Sequence, residues 1–320
     1  LCSMKILVFL LLLLSSAPNP RDDRGTVPDS LVLKLQKATG DDFQRARVME
    51  EIASFYILHN EFDLAKPYAD EIERLSSDLN NDYLKVLSCY YEVIYLNKEN
   101  DLQSTVPYLY KARTLMDNLD DSEASNRLRL KVFNEFALFY YSYDMLPQAY
   151  EYLNLCFRIN DKLNSQGIDF NLNRRLMILY DAMNKQRECL ELGKKISGHA
   201  ASDLDRTYYY MTMLDAYREL GLADSARCYA DSAFLTDSQG KVNWLIRDRV
   251  GMVYLKNKEY DSLFRCSELM AATMGNPTLS VEDSLYLFYR VHYYQAECYN
   301  AWAVYDSALC CADKALETVK

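Results

Sequence analysis

Glycine and proline are scarce in this chain, 9 and 7 among 320 residues. That scarcity counts against an all-β architecture, whose short strands need turn signals roughly every 8–12 residues. Histidine is scarcer still. His59, His199 and His292 lie far apart, and none falls in a metal-binding or nucleophile motif. No glycine-rich phosphate loop occurs, because Gly193 and Gly198 lack the Lys-Ser/Thr pair that would complete one. Basic residues are outnumbered 36 to 46, and the net charge of −10 disfavours nucleic acid, whose phosphates demand a basic surface. After Leu14 no apolar run approaches the length of a membrane-spanning helix. Paired acids such as Asp41-Asp42 and Asp120-Asp121 stand at helix starts or in loops, where capping accounts for them without acid/base chemistry. The expectation is a non-enzymatic chain with no catalytic residue, no cofactor and no metal.

What the chain has is helical period and tyrosine. Half the residues are apolar and 27 are tyrosine. One unit returns with drift along most of the length. Its clearest copy runs Tyr210, Met213, Leu214, Tyr217, Gly221, Ala223, Ala226, Ala230, Ala233. The first four line one face of a helix, Gly221 permits the left-handed backbone that ends it, and the alanines keep a stripe of the second helix thin enough for close packing. Met49, Ile52, Ala53, Tyr56, Asn60, Phe62, Ala65, Ala69, Ile72 repeats the pattern, as does Phe133, Phe136, Ala137, Tyr140, Asp144, Leu146, Ala149, Leu153, Cys156. Two further copies are Val250, Gly251, Tyr254, Tyr260, Leu263, Met270 and His292, Ala296, Tyr299, Tyr305, Ala308, Ala312, Ala315. The segment from Leu176 through Tyr180, Asn184, Cys189, Gly193 and Ile196 fits loosely. The one from Tyr90 to Met116 fits if its turn is lengthened across Asn97 to Asp101.

On these residues the chain resembles the tetratricopeptide repeat family over roughly residues 41–320. It departs from the family in lacking the Trp of the first anchor and most of the helix-ending prolines. Its anchors Cys189, Ala226, Leu263 and Ala308 lie 37, 37 and 45 apart, against a family repeat of about 34. The resemblance implies an all-α, right-handed superhelical solenoid of about seven helical hairpins. Such long repeats are similar to those of exported sensory regions of bacterial signalling regulators.

Residues 1–17 have the layout of a signal peptide. Met4 and Lys5 precede an apolar run over 6–14, then Ser15, Ser16 and Ala17, with Leu1, Cys2 and Ser3 upstream of the expected start. Pro18 bears against cleavage directly after Ala17. Residues 18–40 read as a linker and a short capping helix begun by Asp29 or Ser30, with Asp41 or Asp42 capping the next. The expected location is the bacterial envelope or periplasm. The nine cysteines fall mostly on helical core positions and are expected to be buried free thiols.

Successive residues of a helix point about 100° apart, so runs such as Tyr208-Tyr209-Tyr210 and Tyr293-Tyr294 must send some rings off the core face. In the family, the first helix of each hairpin lines a concave groove. The resemblance carries this role to Asn134, Leu138, Tyr141, Tyr208, Met211, Asp215, Arg218, Asp248, Met252, Leu255, Tyr293, Glu297 and Asn300, with Arg174 and Asp181 from the loose repeat. Aromatic faces, Met and alternating charge suit a protein or peptide segment. The function expected is therefore an interaction scaffold of the envelope. The alternative is the periplasmic sensory region of a membrane-bound regulator with a histidine kinase or DNA-binding output. A third reading, a glycan-binding outer-membrane uptake protein, has the two tryptophans against it. Leu309, Leu316 and Val319 on the final helix suggest a contact, or continuation of the repeat, at that end.

Overall fold

The structure, a computed structural model, describes residues 27–318 apart from 39, 60, 164–165, 238–239, 241 and 276–278. The signal segment, linker residues 18–26, the turn residue Asn60 and Val319 lie outside the described residues. Among those described, every regular element is helical. They are α1 (Asp29–Lys37), α2 (Asp42–Leu58), α3 (Phe62–Asp78), α4 (Asp82–Lys98), α5 (Leu102–Leu115), α6 (Glu123–Ser142), α7 (Leu146–Leu163), α8 (Gln166–Ala182), α9 (Gln186–Ile196), α10 (Asp203–Glu219), α11 (Ala223–Thr236), α12 (Asn243–Lys256), α13 (Tyr260–Ala271), α14 (Val281–Ala301) and α15 (Tyr305–Glu317), with one 3-10 turn at Met116–Asn118.

Helices begin where a short polar side chain can accept an orphan backbone N–H. Asp41, Asn81, Asp101, Ser122, Ser202 and Ser280 each do so. The first helix lacks such a cap, since Pro28 precedes Asp29, and so do the second helices α3, α9, α11, α13 and α15 and the first helix α12.

Each hairpin reverses in three residues. The middle one is left-handed at Asn100 (φ 59), Asp144 (φ 61), Asn184 (φ 57), Gly221 (φ 75), Lys258 (φ 61) and Ala303 (φ 61). The residue after it donates its N–H back across the helix end: Asp101 to Leu96 (2.9 Å), Met145 to Tyr140 (2.8 Å), Leu222 to Tyr217 (3.0 Å), Glu259 to Tyr254 (2.9 Å) and Val304 to Tyr299 (2.9 Å). Glu61 donates to Tyr56 (2.9 Å) in the same way. The turn between α4 and α5 is thus no longer than the others. The irregular spacing comes from the lengths of the first helices and of the links between hairpins.

Tyrosine anchors the same register. The ring four residues before the turn's middle stacks on one eight residues after it in Tyr56–Tyr68 (6.1 Å), Tyr140–Tyr152 (5.4 Å) and Tyr217–Tyr229 (5.2 Å). Stacked pairs of this kind add about 1 kcal/mol beyond the area they bury.

The chain divides into two compact units, Leu1–Met183 and Asn184–Lys320. The cut falls in the turn of the loosest repeat, whose first helix α8 packs on α7 and whose second, α9, packs on α10. The first unit holds α1 on α2 and the hairpins α2/α3, α4/α5 and α6/α7; the second holds α10/α11, α12/α13 and α14/α15. Ala65, Ala69, Ala149, Ala226, Ala230 and Ala233 are all buried, as the thin stripe requires. Gly251 serves a close approach between hairpins, since a Cβ there would meet the Tyr294 ring at 2.7 Å. Cys89, Cys156, Cys189, Cys266, Cys298 and Cys311 are buried free thiols, whereas Cys228 and Cys310 are exposed. Burial pushes the Cys156, Cys266 and Cys298 thiols up to about 12.

Two outcomes follow. Ala303→Gly relieves a left-handed Cβ and should raise stability by about 1 kcal/mol, while Gly251→Ala should cost about 2 kcal/mol by displacing Tyr294, both read by urea unfolding. In native protein a thiol reagent should label Cys228 and Cys310 first, and peptide mapping should find the six buried thiols labelled only after unfolding.

Candidate binding face

The first helices of the hairpins carry charged groups that meet across hairpin boundaries. In the N-terminal unit the Glu50 carboxylate of α2 accepts from Tyr83 of α4 (2.8 Å) and from Lys131 of α6 (2.9 Å), and pairs with Arg47 (3.2 Å). Burial alone would raise its pKa, yet Lys131, Tyr83 and Arg47 together hold it below the usual carboxylate value. Tyr91 donates to the Glu50 carbonyl (3.1 Å), and the Lys131 ammonium lies 5.5 Å from the Tyr90 ring centre. Three first helices are laced together at one carboxylate.

Glu135, on α6, is held differently. Asn97 of α4 donates to one carboxylate oxygen (2.9 Å) and Asn134 approaches the other (3.4 Å). Burial pushes Glu135 up to about 7 despite the opposing charge of Arg175 on α8.

In the C-terminal unit Asp215 of α10 accepts from Arg218 (2.7 Å) and from Arg249 of α12 (2.8 Å), and Glu219 pairs with Lys256 (3.0 Å). Asp248 of α12 accepts from Arg290 (2.5 Å), Tyr286 (2.9 Å) and Tyr294 (2.8 Å) of α14, and Tyr294 also reaches the Asp248 carbonyl (2.7 Å). The Arg290 guanidinium lies 4.6, 5.6 and 6.0 Å from the Tyr294, Tyr293 and Tyr286 ring centres. Buried charges of this kind hold only when fully paired, and these pairs fix the register of one hairpin on the next.

The expected groove residues separate by burial. Tyr208 (2 % exposed), Met211 (1 %), Asp248 (5 %), Asn134, Leu138 and Arg174 are buried. Tyr141, Asp181, Asp215, Arg218, Met252, Leu255, Tyr293 and Glu297 are half-buried, and Asn300 is exposed. The run Tyr208-Tyr209-Tyr210 sends no ring fully outward: the first two are buried and the third half-buried. The reason is that α10 packs on α9, α11 and α12, so little of its circumference is free. Of these residues the structure brings Asp215 and Arg218 together directly. It places Tyr293 against the cation that holds Asp248.

Sequence reasoning missed Glu50, Lys131, Glu135, Arg249, Tyr286 and Arg290. A signal was present for Arg290 as the partner of Asp248. Neither Asp248 nor Arg290 has an oppositely charged residue three or four positions away, so each needs a partner from another helix. Among the described residues no group of three or more His, Cys, Asp or Glu is placed to hold a metal ion, and no helix is long and apolar enough to cross a membrane.

No family model matches the sequence, and no curated protein matches it. Among solved structures, the chain is similar to the crystal structure of a Rap protein complexed with competence and sporulation factor, with a TM-score of 0.49 and 13% identity. The match covers 91% of this chain and 97% of that one.

Because Glu135 binds its proton more tightly when folded than the ordinary carboxyl value of 4.5, it favours the native state at low pH. That contribution, up to about 3 kcal/mol, is lost as pH rises from 4.5 to about 7. Glu135→Gln should keep the neutral hydrogen-bonding shape, leave stability near wild type at pH 4.5 and raise it above wild type at pH 8, measured by denaturant unfolding at both pH values.

Proposed function

We propose that this chain is a non-enzymatic scaffold that binds a protein or peptide segment on the first-helix face of its C-terminal unit. The carrying observation is the pairing of half-exposed contact groups with a fixed support. Tyr293, Glu297 and Met252 are partly open and Asn300 is exposed, while Arg290, Asp248, Tyr286 and Tyr294 beneath are locked by hydrogen bonds. A partner meeting such a surface loses little free energy to ordering the protein side. Tyr293 lies parallel to Tyr289 at 6.1 Å, giving an aromatic platform with Glu297 against it, and the paired Asp215, Arg218 and Arg249 put charge of both signs on the first helices α10 and α12. This chemistry suits an extended or helical segment with apolar anchors and charges of both signs. The net charge of −10 supports a partner other than nucleic acid. Export to the bacterial envelope is part of the same reading and rests on the signal-like residues 4–17.

Selection of a displayed random-peptide library against the native protein tests the site. Tyr293→Ala and Met252→Ala together should weaken the selected peptides by about 30-fold, the effect of losing roughly 2 kcal/mol of contact, with helical content and thermal midpoint close to wild type. Equal binding by the variant would move the site elsewhere, and a library that enriches no sequence would remove the peptide-binding reading.

A further inference from the structure

The boundary between the first helices α6 and α8 follows the pattern of its equivalents, except that a negative charge is missing from it. Glu50 of α2 and Asp248 of α12 show the usual arrangement. Tyr83 and Tyr286, each seventeen residues before the left-handed residue of its own turn, donate to the carboxylate at 2.8 and 2.9 Å. Tyr91 and Tyr294, each nine residues before it, donate to the carbonyl of the same acid at 3.1 and 2.7 Å. Asp248 lies ten residues before Lys258, and the same place before Asp144 is held by an amide, Asn134. On α8 the place of Tyr91 and Tyr294 is held by Arg175. A cation stands here where the facing acid has been lost.

The unsatisfied atoms lie at this boundary. The Arg175 Nε is buried without a hydrogen-bond partner, and among the described residues no ion pair reaches its guanidinium. Asn134 is 8% exposed and its Oδ1 is unpartnered. So is the Oδ1 of Asn171, one helical turn before Arg175 on the same face. Glu135 faces Arg175 without serving as its counter-ion, because Asn97 and Asn134 occupy its oxygens and burial keeps its proton in place to about pH 7. Burial also lowers the Arg175 pKa, with Glu135, Cys156 and Tyr90 acting against it, yet a guanidinium keeps its charge at any ordinary pH. A buried cation with no counter-charge is strongly unfavourable.

We propose that the gap at Arg175, Asn134 and Asn171 binds the carboxylate of a small organic acid, which takes the place of the acid missing from α6. A carboxylate matches the planar fork of the guanidinium and carries the single negative charge that balances it, whereas a dianion would leave an excess. Turned over, the Asn134 amide accepts from the protonated Glu135 and offers its Nδ2 to the ligand, so that each group is satisfied. Arg175 and Tyr90 are half-buried, which leaves the guanidinium within reach of a small solute. The site lies within the N-terminal unit, and its test is independent of the Tyr293 face.

Acetate is the probe. Thermal unfolding of the full chain at about pH 6, where Glu135 holds its proton, compares acetate with chloride and sulfate at equal ionic strength. In wild type, acetate should raise the midpoint saturably, by about 3 °C at roughly ten times its dissociation constant, while chloride and sulfate should not. Asn134→Asp supplies the missing carboxylate from the chain itself, so it should raise the midpoint without acetate and abolish the acetate response. Arg175→Gln removes the cation and should abolish that response too. A wild-type midpoint indifferent to acetate up to about 100 mM, an equal rise with sulfate, or a response retained in either variant would each overturn the proposal.

Discussion

The reversal of direction in three residues, with a left-handed residue in the middle, is the constraint on which the remainder of the structure rests. It sets two helices antiparallel at a fixed register, and the register decides which side chains meet. The tyrosine whose carbonyl accepts the turn's closing hydrogen bond is then placed, in three hairpins, to stack on a tyrosine of the second helix. Elsewhere the same ring, or the one beside it, receives a side chain from the hairpin before. One residue type thus closes the turn, braces the hairpin and joins it to its neighbour, which accounts for much of the tyrosine content. Lys258 and Ala303 hold left-handed geometry without glycine. Their strain is small beside the packing that each reversal permits.

A stack of hairpins also has to fix how each one sits on the next, and apolar stripes alone leave that loosely specified. The polar contacts between first helices supply direction. Glu50 gathers groups from three helices, and Asp248 gathers Arg290, Tyr286 and Tyr294 from one. Removing water from these charges is costly, and complete pairing offsets the cost only in one arrangement. Gly251 belongs to the same device, because the Tyr294 hydroxyl reaches Asp248 only where the ring can lie against a bare Cα. The rigid support beneath Tyr293 is therefore a by-product of the way hairpins are joined. Glu135 shows the contrasting case, a carboxylate deep in the first unit whose nearest hydrogen-bond donors are amides, so that desolvation prevails and its proton is retained to about pH 7.

The hairpin repeat was legible in the sequence because its signals are local. Gly221 and Asp144 mark turns, Ala226, Ala230 and Ala233 mark the thin stripe, and Tyr56, Tyr140 and Tyr217 mark the end of the first helix, each readable within about 25 residues. The turn after Lys98 was harder to read, since no glycine marks it. The structure shows that Asn100 adopts the left-handed conformation there without extra length.

What tertiary structure alone decided is which first-helix residues face outward. Helical periodicity puts Tyr208, Met211 and Asp248 on the same footing as Tyr293 and Met252, but the first three lie where a neighbouring helix covers them. Burial of a given position depends on how many helices pack around it, and that number is a property of the stack. The partners of Asp248 and Glu50 come from 42 and 81 residues away, Arg290 and Lys131, and no local pattern relates them. Sequence by itself therefore determined the unit, its turns and its internal braces, because these arise from contacts within one hairpin; the charge pairs and the free face arise between hairpins, where only the assembled fold brings the residues together.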